Sequence, residues 1–187
     1  MNIMDRLSRL FITVAFVMAA ALCLSQRVAL KTNLLEYAQL TPNVGVELTV
    51  GNHSSVELWA AVTPYSRRSS YPGKYMIAFN PEYRRWLIRP QYGHFFGVAL
   101  GYTYADMGPR ALLVDRYVEA SALAIGPSYG YSFLINDRWS VECNIAAGYL
   151  YARTSSSLPG STTSGDVAEH HLFAPIRCGV NIVYIIM

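Results

Sequence analysis

The stretch WSVECNIAAGYLYA, residues 139–152, decides how this chain must be read. Val141, Cys143, Ile145, Ala147, Tyr149 and Tyr151 fall on one parity, and Ser140, Glu142, Asn144, Ala146 and Gly148 on the other. A period of two marks a β-strand, whose successive side chains point to opposite faces; nothing here repeats at 3.6. One face is large and apolar. The other is small or polar and carries an ionisable carboxyl.

The same alternation extends outward in both directions. Val44, Val46, Leu48 and Val50 alternate with Asn43, Gly45, Glu47 and Thr49, and Val56, Leu58, Ala60 and Val62 with Ser55, Glu57, Trp59 and Ala61. Phe96, Val98, Leu100, Tyr102 and Tyr104 alternate with Gly97, Ala99, Gly101 and Thr103. The pattern predicts strands over 27–36, 43–51, 54–65, 75–89, 93–105, 118–134, 138–153 and 170–186. Their connections alternate in length: 52–53, 90–92 and 135–137 are short, whereas 66–74, 106–117 and 154–169 are long. Eight strands with short turns at one end and long loops at the other is the layout of an up-and-down membrane barrel.

The start of the chain has the layout of an export signal. Arg6 and Arg9 precede the almost wholly apolar Leu10–Leu24, and Cys23 and Ser25 place small residues at both recognition positions of a cleavage site. That apolar run is short of the roughly 20 residues a spanning helix needs. Residues 1–25 are therefore expected to be a cleavable signal-peptide helix, and 26–187 the mature domain. After cleavage the net charge is small and positive, which gives no reason to expect nucleic acid. Hydrophobic residues make up 52% of the chain and charged ones only 14%. No later apolar run is long enough to span as a helix, so the membrane solution open to such a chain is a closed barrel. The expected fold is all-β: an eight-stranded antiparallel transmembrane up-and-down β-barrel.

The small residues of the polar parity suit a cramped interior, and the Leu, Ile, Val, Phe and Tyr of the other suit lipid. Aromatics collect near strand ends: Tyr65, Tyr75, Tyr102, Tyr104, Tyr149 and Tyr151 towards the long loops, and Trp86, Phe95, Phe96, Phe133, Trp139 and Tyr184 towards the short turns. Two belts of this kind are expected at two membrane interfaces. Pro81, Pro127 and Pro175 lie inside proposed strands, where each removes a ladder donor and implies a bulge. Arg85 has the outward parity, so it belongs at an interface unless a bulge at Pro81 shifts the count.

The segments VALKTNLL (28–35), LTPNVGVE (40–47), NPEYR (80–84) and GHFFG (93–97) resemble an uncharacterised family of small outer-membrane barrels of gut-type Gram-negative bacteria, classed as a domain of unknown function. The resemblance implies the barrel fold and the cell outer membrane, and it carries over no catalytic residue. Arg177, Gly179, Ile182 and Tyr184 fit the polar-x-Gly-x-x-apolar-x-aromatic pattern that resembles a signal for the barrel-assembly machinery, although a terminal Phe is missing.

Lys31, Glu47, Glu57, Glu82, Arg84, Glu142 and Arg177 share the inward parity with Asn33, Asn144 and Asn181. Buried charges must pair, so these groups are expected to close the lumen with salt bridges. The role that follows is structural or surface-interacting; the alternatives are a narrow pore or channel and a lipid A-modifying enzyme. For the enzyme, Glu169, His170 and His171 face Ser155–Ser157 across the last long loop, but no spacing is diagnostic and adjacent histidines point to opposite faces. A soluble ligand-binding barrel is a further alternative. Consecutive residues rarely converge on one ion, so neither metal nor cofactor is expected. Arg67, Arg68 and Lys74 make one long loop basic, a candidate contact for lipopolysaccharide phosphates. Cys143 and Cys178 share the outward parity on neighbouring strands, and a disulfide between them stays open.

Overall fold

A computed structural model describes residues 27–64, 75–107, 117–157 and 166–186. The signal-peptide reading of residues 1–25 and the basic trio Arg67, Arg68 and Lys74 lie outside those residues. Among them the order is β1 (Val28–Asn33), α1 (Leu34–Ala38), β2 (Asn43–Gly51), β3 (Ser54–Pro64), β4 (Tyr75–Trp86), β5 (Gly93–Met107), β6 (Tyr117–Leu134), β7 (Trp139–Ser157) and β8 (Asp166–Ile186). Each strand pairs antiparallel with the next, and β1 returns to β8 through Val28↔Ile186 to Asn33↔Asn181, so the sheet closes on itself. Closure leaves neither β1 nor β8 with a free edge where the two strands meet. None of the described helices is long and apolar enough to cross a membrane.

The parities of the sequence become the two sides of the wall. Val98, Leu100, Leu123, Ile125, Phe133 and Ile145 are exposed on the outside, whereas Glu47, Glu57, Arg84 and Asn181 are buried inside. This is the reverse of a soluble protein's polarity, in which charged side chains are almost never fully buried.

Four expectations need correction. Trp86 and Phe95 are not part of an outer belt: they are 1% and 0% exposed and pack on each other inside, 4.7 Å between ring centroids. Trp86 shares its parity with Glu82 and Arg84, and of the adjacent Phe95 and Phe96 only one can face outward. Second, β1 ends at Asn33 rather than 36, because the Asn33 side chain accepts from Leu35 N at 3.0 Å and caps a one-turn helix. Third, β4 stops at Trp86; residues 87–92 form a tight connection closed by the Arg89–Tyr92 bridge, with Gln91 at φ 65° and Gly93 at φ 80°. Fourth, only Pro175 lies at a bulge. The β7–β8 register shifts between Ala146↔Arg177 and Ala147↔Pro175, leaving Ile176 as the extra residue. Pro81 and Pro127 sit in ladders whose register is the same on either side. A strand residue donates to only one neighbour, so each proline there removes a single rung.

With no shift at Pro81, Arg85 keeps its outward parity and donates to Ser54 Oγ at 3.0 Å, beside the β2–β3 turn. The β7–β8 register also keeps the cysteines off a shared pair: Cys178 lies opposite Ile145, and Cys143 opposite Val180. Diagonal positions of this kind are about 7–8 Å apart, beyond the usual disulfide span, and both thiols are free.

Candidate functional site

Seven ionisable side chains from six strands meet inside the ring. Lys31 of β1 ion-pairs with Glu47 of β2, with Glu57 of β3 at 2.9 Å and with Glu142 of β7 at 2.6 Å. Its ammonium carries three protons, so three carboxylates use its full capacity. Arg84 of β4 spreads over the remaining faces: Nη1 meets Glu57 at 2.7 Å and Glu142 at 3.0 Å, and Nη2 meets Glu82 at 2.9 Å. Arg177 of β8 pairs with Glu57 and lies 3.9 Å over the Trp59 ring. All seven are buried.

Neutral groups complete the network. Glu47 accepts from Ser55 Oγ, which accepts in turn from Trp86 Nε1 at 2.8 Å. Glu82 accepts from Ser128 Oγ at 2.6 Å, and Glu142 from Asn181 Nδ2 at 3.2 Å. Small residues make the room. A Cβ at Gly97 would stand 2.5 Å from Ser128 Oγ and 3.1 Å from Glu82 Oε1, and one at Gly45 would stand 2.4 Å from the Trp59 ring. Below the charges, Trp86, Phe95, Gln91, Val183 and Ile185 fill the turn end. The interior is therefore crossed by ion pairs and stopped beneath by packed side chains. Four carboxylates face three cations, so this set carries one excess negative charge.

Above the network the chemistry changes. A cavity of about 520 Å³ is lined by Glu36 of α1, Trp59, Met76, Asn80, Ile176 and Arg177, among others. Glu36 accepts from Asn33 Nδ2 at 3.0 Å. Burial pushes its carboxyl above the usual range, against the pull of the Asn33 hydrogen bond and the Arg177 cation. The fold thus disfavours ionised Glu36, and the penalty is absent once falling pH has protonated it. Glu36→Gln should raise stability at pH 7 by no more than about 1 kcal/mol, since water screens a half-buried group. The gain should shrink to nothing in acid below the ordinary carboxylate range. Urea midpoints at pH 7 and about pH 3 check this, and an equal gain at both would refute it.

The other sequence candidates are dispersed. His171 faces outward, with Nδ1 2.5 Å from Tyr149 OH, while His170 lies 3.4 Å from Thr154 Oγ1. Ser155 is opposite Val167 and Ser156 opposite Asp166, so the register sets neither serine opposite a histidine. No group of three His, Cys, Asp or Glu placed to hold a metal occurs among the described residues. Arg177 and Gly179 of the terminal pattern face inward; Ile182 and Tyr184 lie on the other parity, with Tyr184 4.9 Å from Trp139 between ring centroids.

Sequence reasoning missed α1 and the side chain of Trp59 as a partner of Arg177. Asn33 followed three residues later by Glu36 is a helix-start signature that could have found the first. The inward parity of Trp59 could have found the second. The family model described as "Protein of unknown function (DUF3575)" matches residues 10–186. No curated protein and no solved structure matches the chain.

Proposed function

The chain belongs to the DUF3575 family of proteins of unknown function, and from its own residues we propose that it is a small outer-membrane β-barrel of a Gram-negative cell, exported by a cleaved signal peptide, with a structural or surface-interaction role and a lumen closed by salt bridges. The observation that carries this reading is the inverted polarity of the wall, apolar outside and charged within. The outward aromatics support it further. Trp139 and Tyr149 are both exposed and stand ten residues apart on β7. That is about 34 Å of strand, which at a tilt of roughly 40° rises about 26 Å, the height of an outer-membrane apolar band. The partners of such a barrel are lipid, lipopolysaccharide and the assembly machinery that reads its last strand.

The ion-paired, stoppered interior favours the structural role over a conducting pore, and the separation of serines from histidines gives no support to lipid A chemistry. Fractionation tests the proposal. The protein should be recovered from purified outer membranes and run as a band whose mobility changes on boiling. Recovery in the soluble periplasmic fraction, with no heat-modifiable band, would sink the membrane reading and turn the outer apolar face into a binding surface of another kind.

A further inference from the structure

The strands lengthen steadily around the ring, from six residues in β1 to 21 in β8, and the longest stands beside the shortest. β1 covers β8 only from Asn181 to Ile186. From Val180 back to Asp166, β8 has a strand neighbour on its β7 side alone among the described residues. Near this edge Asn33 satisfies two backbone groups, donating to Cys178 O at 3.1 Å and accepting from Val180 N at 3.3 Å. Pro175 has no N–H to leave bare. Among the described residues, α1 and not a paired strand stands beside β8 beyond this point.

The cavity above the charge network reaches this gap. Its lining includes Trp59, Asn80 and Arg177 from the inside, and also Pro175 and Cys178, which have outward parity. A cavity touched by residues of both parities of one strand reaches the wall at that strand, here beside the bulge at Ile176. The opening lies at the height of the outer apolar band, because Pro175 and Cys178 pair with Ala147 and Ile145, between Trp139 and Tyr149 on β7. In hydrocarbon, irregular backbone is tolerated only where it is covered by protein or lines a cavity. Apolar groups flank the opening: Phe173 is 77% exposed, and Leu34, Leu35 and Leu40 of the β1–β2 connection are exposed as well.

We propose that this side opening is a binding site for a single-chain amphiphile taken from the membrane, whose uncharged hydroxyl-bearing head enters the cavity while its chain leaves between β8 and α1. The inference rests on the membrane reading above. The head chemistry follows from the lining. Arg177 is already paired with Glu57, and burial disfavours the ionised form of Glu36, so the lining holds neither an unpaired cation for an anionic head nor a stable carboxylate of its own for a cationic one. Asn80, Gln39, Thr41 and Thr103 add donors and acceptors suited to hydroxyls. Met76, Ala61 and Ile176 accommodate the first carbons of the chain. The volume is in the range of small-molecule pockets.

The test uses the full mature chain refolded in detergent micelles, with 1-monopalmitoylglycerol as probe. Native mass spectrometry should show a one-to-one adduct. Ala78→Trp, which fills the cavity, should lower its retention at least tenfold while the heat-modifiable band persists; Val98→Ala, on the outer wall, should leave it unchanged. Should Ala78→Trp not fold, the native cysteines give the second measurement. Monopalmitoylglycerol should slow maleimide labelling of Cys178 at least fivefold and leave that of Cys143 unaltered. Equal adducts in wild type and Ala78→Trp would overturn the site, as would an unprotected Cys178 in a heat-modifiable chain. Palmitic acid retained as well as the glyceride would overturn the uncharged head. The membrane reading fails by a separate result, a chain recovered in the soluble fraction.

Discussion

Arg84→Ala should cost the folded protein about 3–5 kcal/mol, the loss typical of breaking a buried pair by removing one partner. Among the described residues Arg84 is the only cation that reaches Glu82, and it shares Glu57 and Glu142 with Lys31. Without it four buried carboxylates face two cations, and Glu82 keeps only the Ser128 hydroxyl. The guanidinium also lies 4.3 Å over the Phe95 ring, so its removal opens the packing that stoppers the turn end. Arg84→Lys should recover little, because an ammonium cannot address Glu82 and Glu142 from a planar fork. Removing Glu142 together with Arg84 should cost less than the sum of the single changes, since each leaves the other's charge uncompensated. Urea unfolding in micelles, followed by the gel band and by tryptophan fluorescence, measures all three. An Arg84→Ala loss below about 1 kcal/mol would show that the charges are solvated and that the interior is not closed.

The reach of the sequence over this fold is uneven, for physical reasons. Strand positions were legible because a two-sided wall imposes strict alternation, and alternation survives in composition. The seven inward charges were legible for the same reason: parity places Glu47, Glu57, Glu82, Arg84 and Glu142 on the small-residue face without knowledge of any contact. Which charge meets which was not legible, since this depends on register around a closed ring. Trp86 and Phe95 were misplaced by reading closeness to a strand end instead of parity. The bulge at Ile176 left no periodic trace, as Leu172, Phe173 and Ile176 are apolar on both faces of β8. It nevertheless moves Cys178 from opposite Asn144, where the register above the bulge would put it, to opposite Ile145. The cavity was the least legible feature. It exists because β1 is short and β8 long, and the sequence marks the early end of β1 only through Asn33 and Glu36.

Gly126→Ala should prevent β6 and β7 from pairing as they do, although it adds a single methyl group. A Cβ at Gly126 would stand 2.1 Å from Ala147 O and 2.6 Å from Gly148 Cα. These are backbone atoms, and no rotamer change relieves the contact. Gly148 is its mirror: a Cβ there would stand 2.1 Å from Ile125 O and 2.5 Å from Gly126 Cα. The two glycines therefore let the strands approach between the pairs Ile125↔Tyr149 and Ser128↔Ala146. Pro127 and the bulge at Ile176 lie beside them, so the ladder has few rungs at this level with which to absorb a shift. Overpacking a core side chain costs about 1–3 kcal/mol; a clash with backbone should reach the top of that range or exceed it. Gly51→Ala is the control, because its Cβ would meet nothing closer than Ser54 Cβ at 3.9 Å. Refolding yield, read as the heat-modifiable fraction, should fall several-fold for Gly126→Ala and hold for Gly51→Ala. Equal yields would mean that β6 and β7 are further apart in the folded protein, and that the wall is wider at the level of the charge network's upper edge.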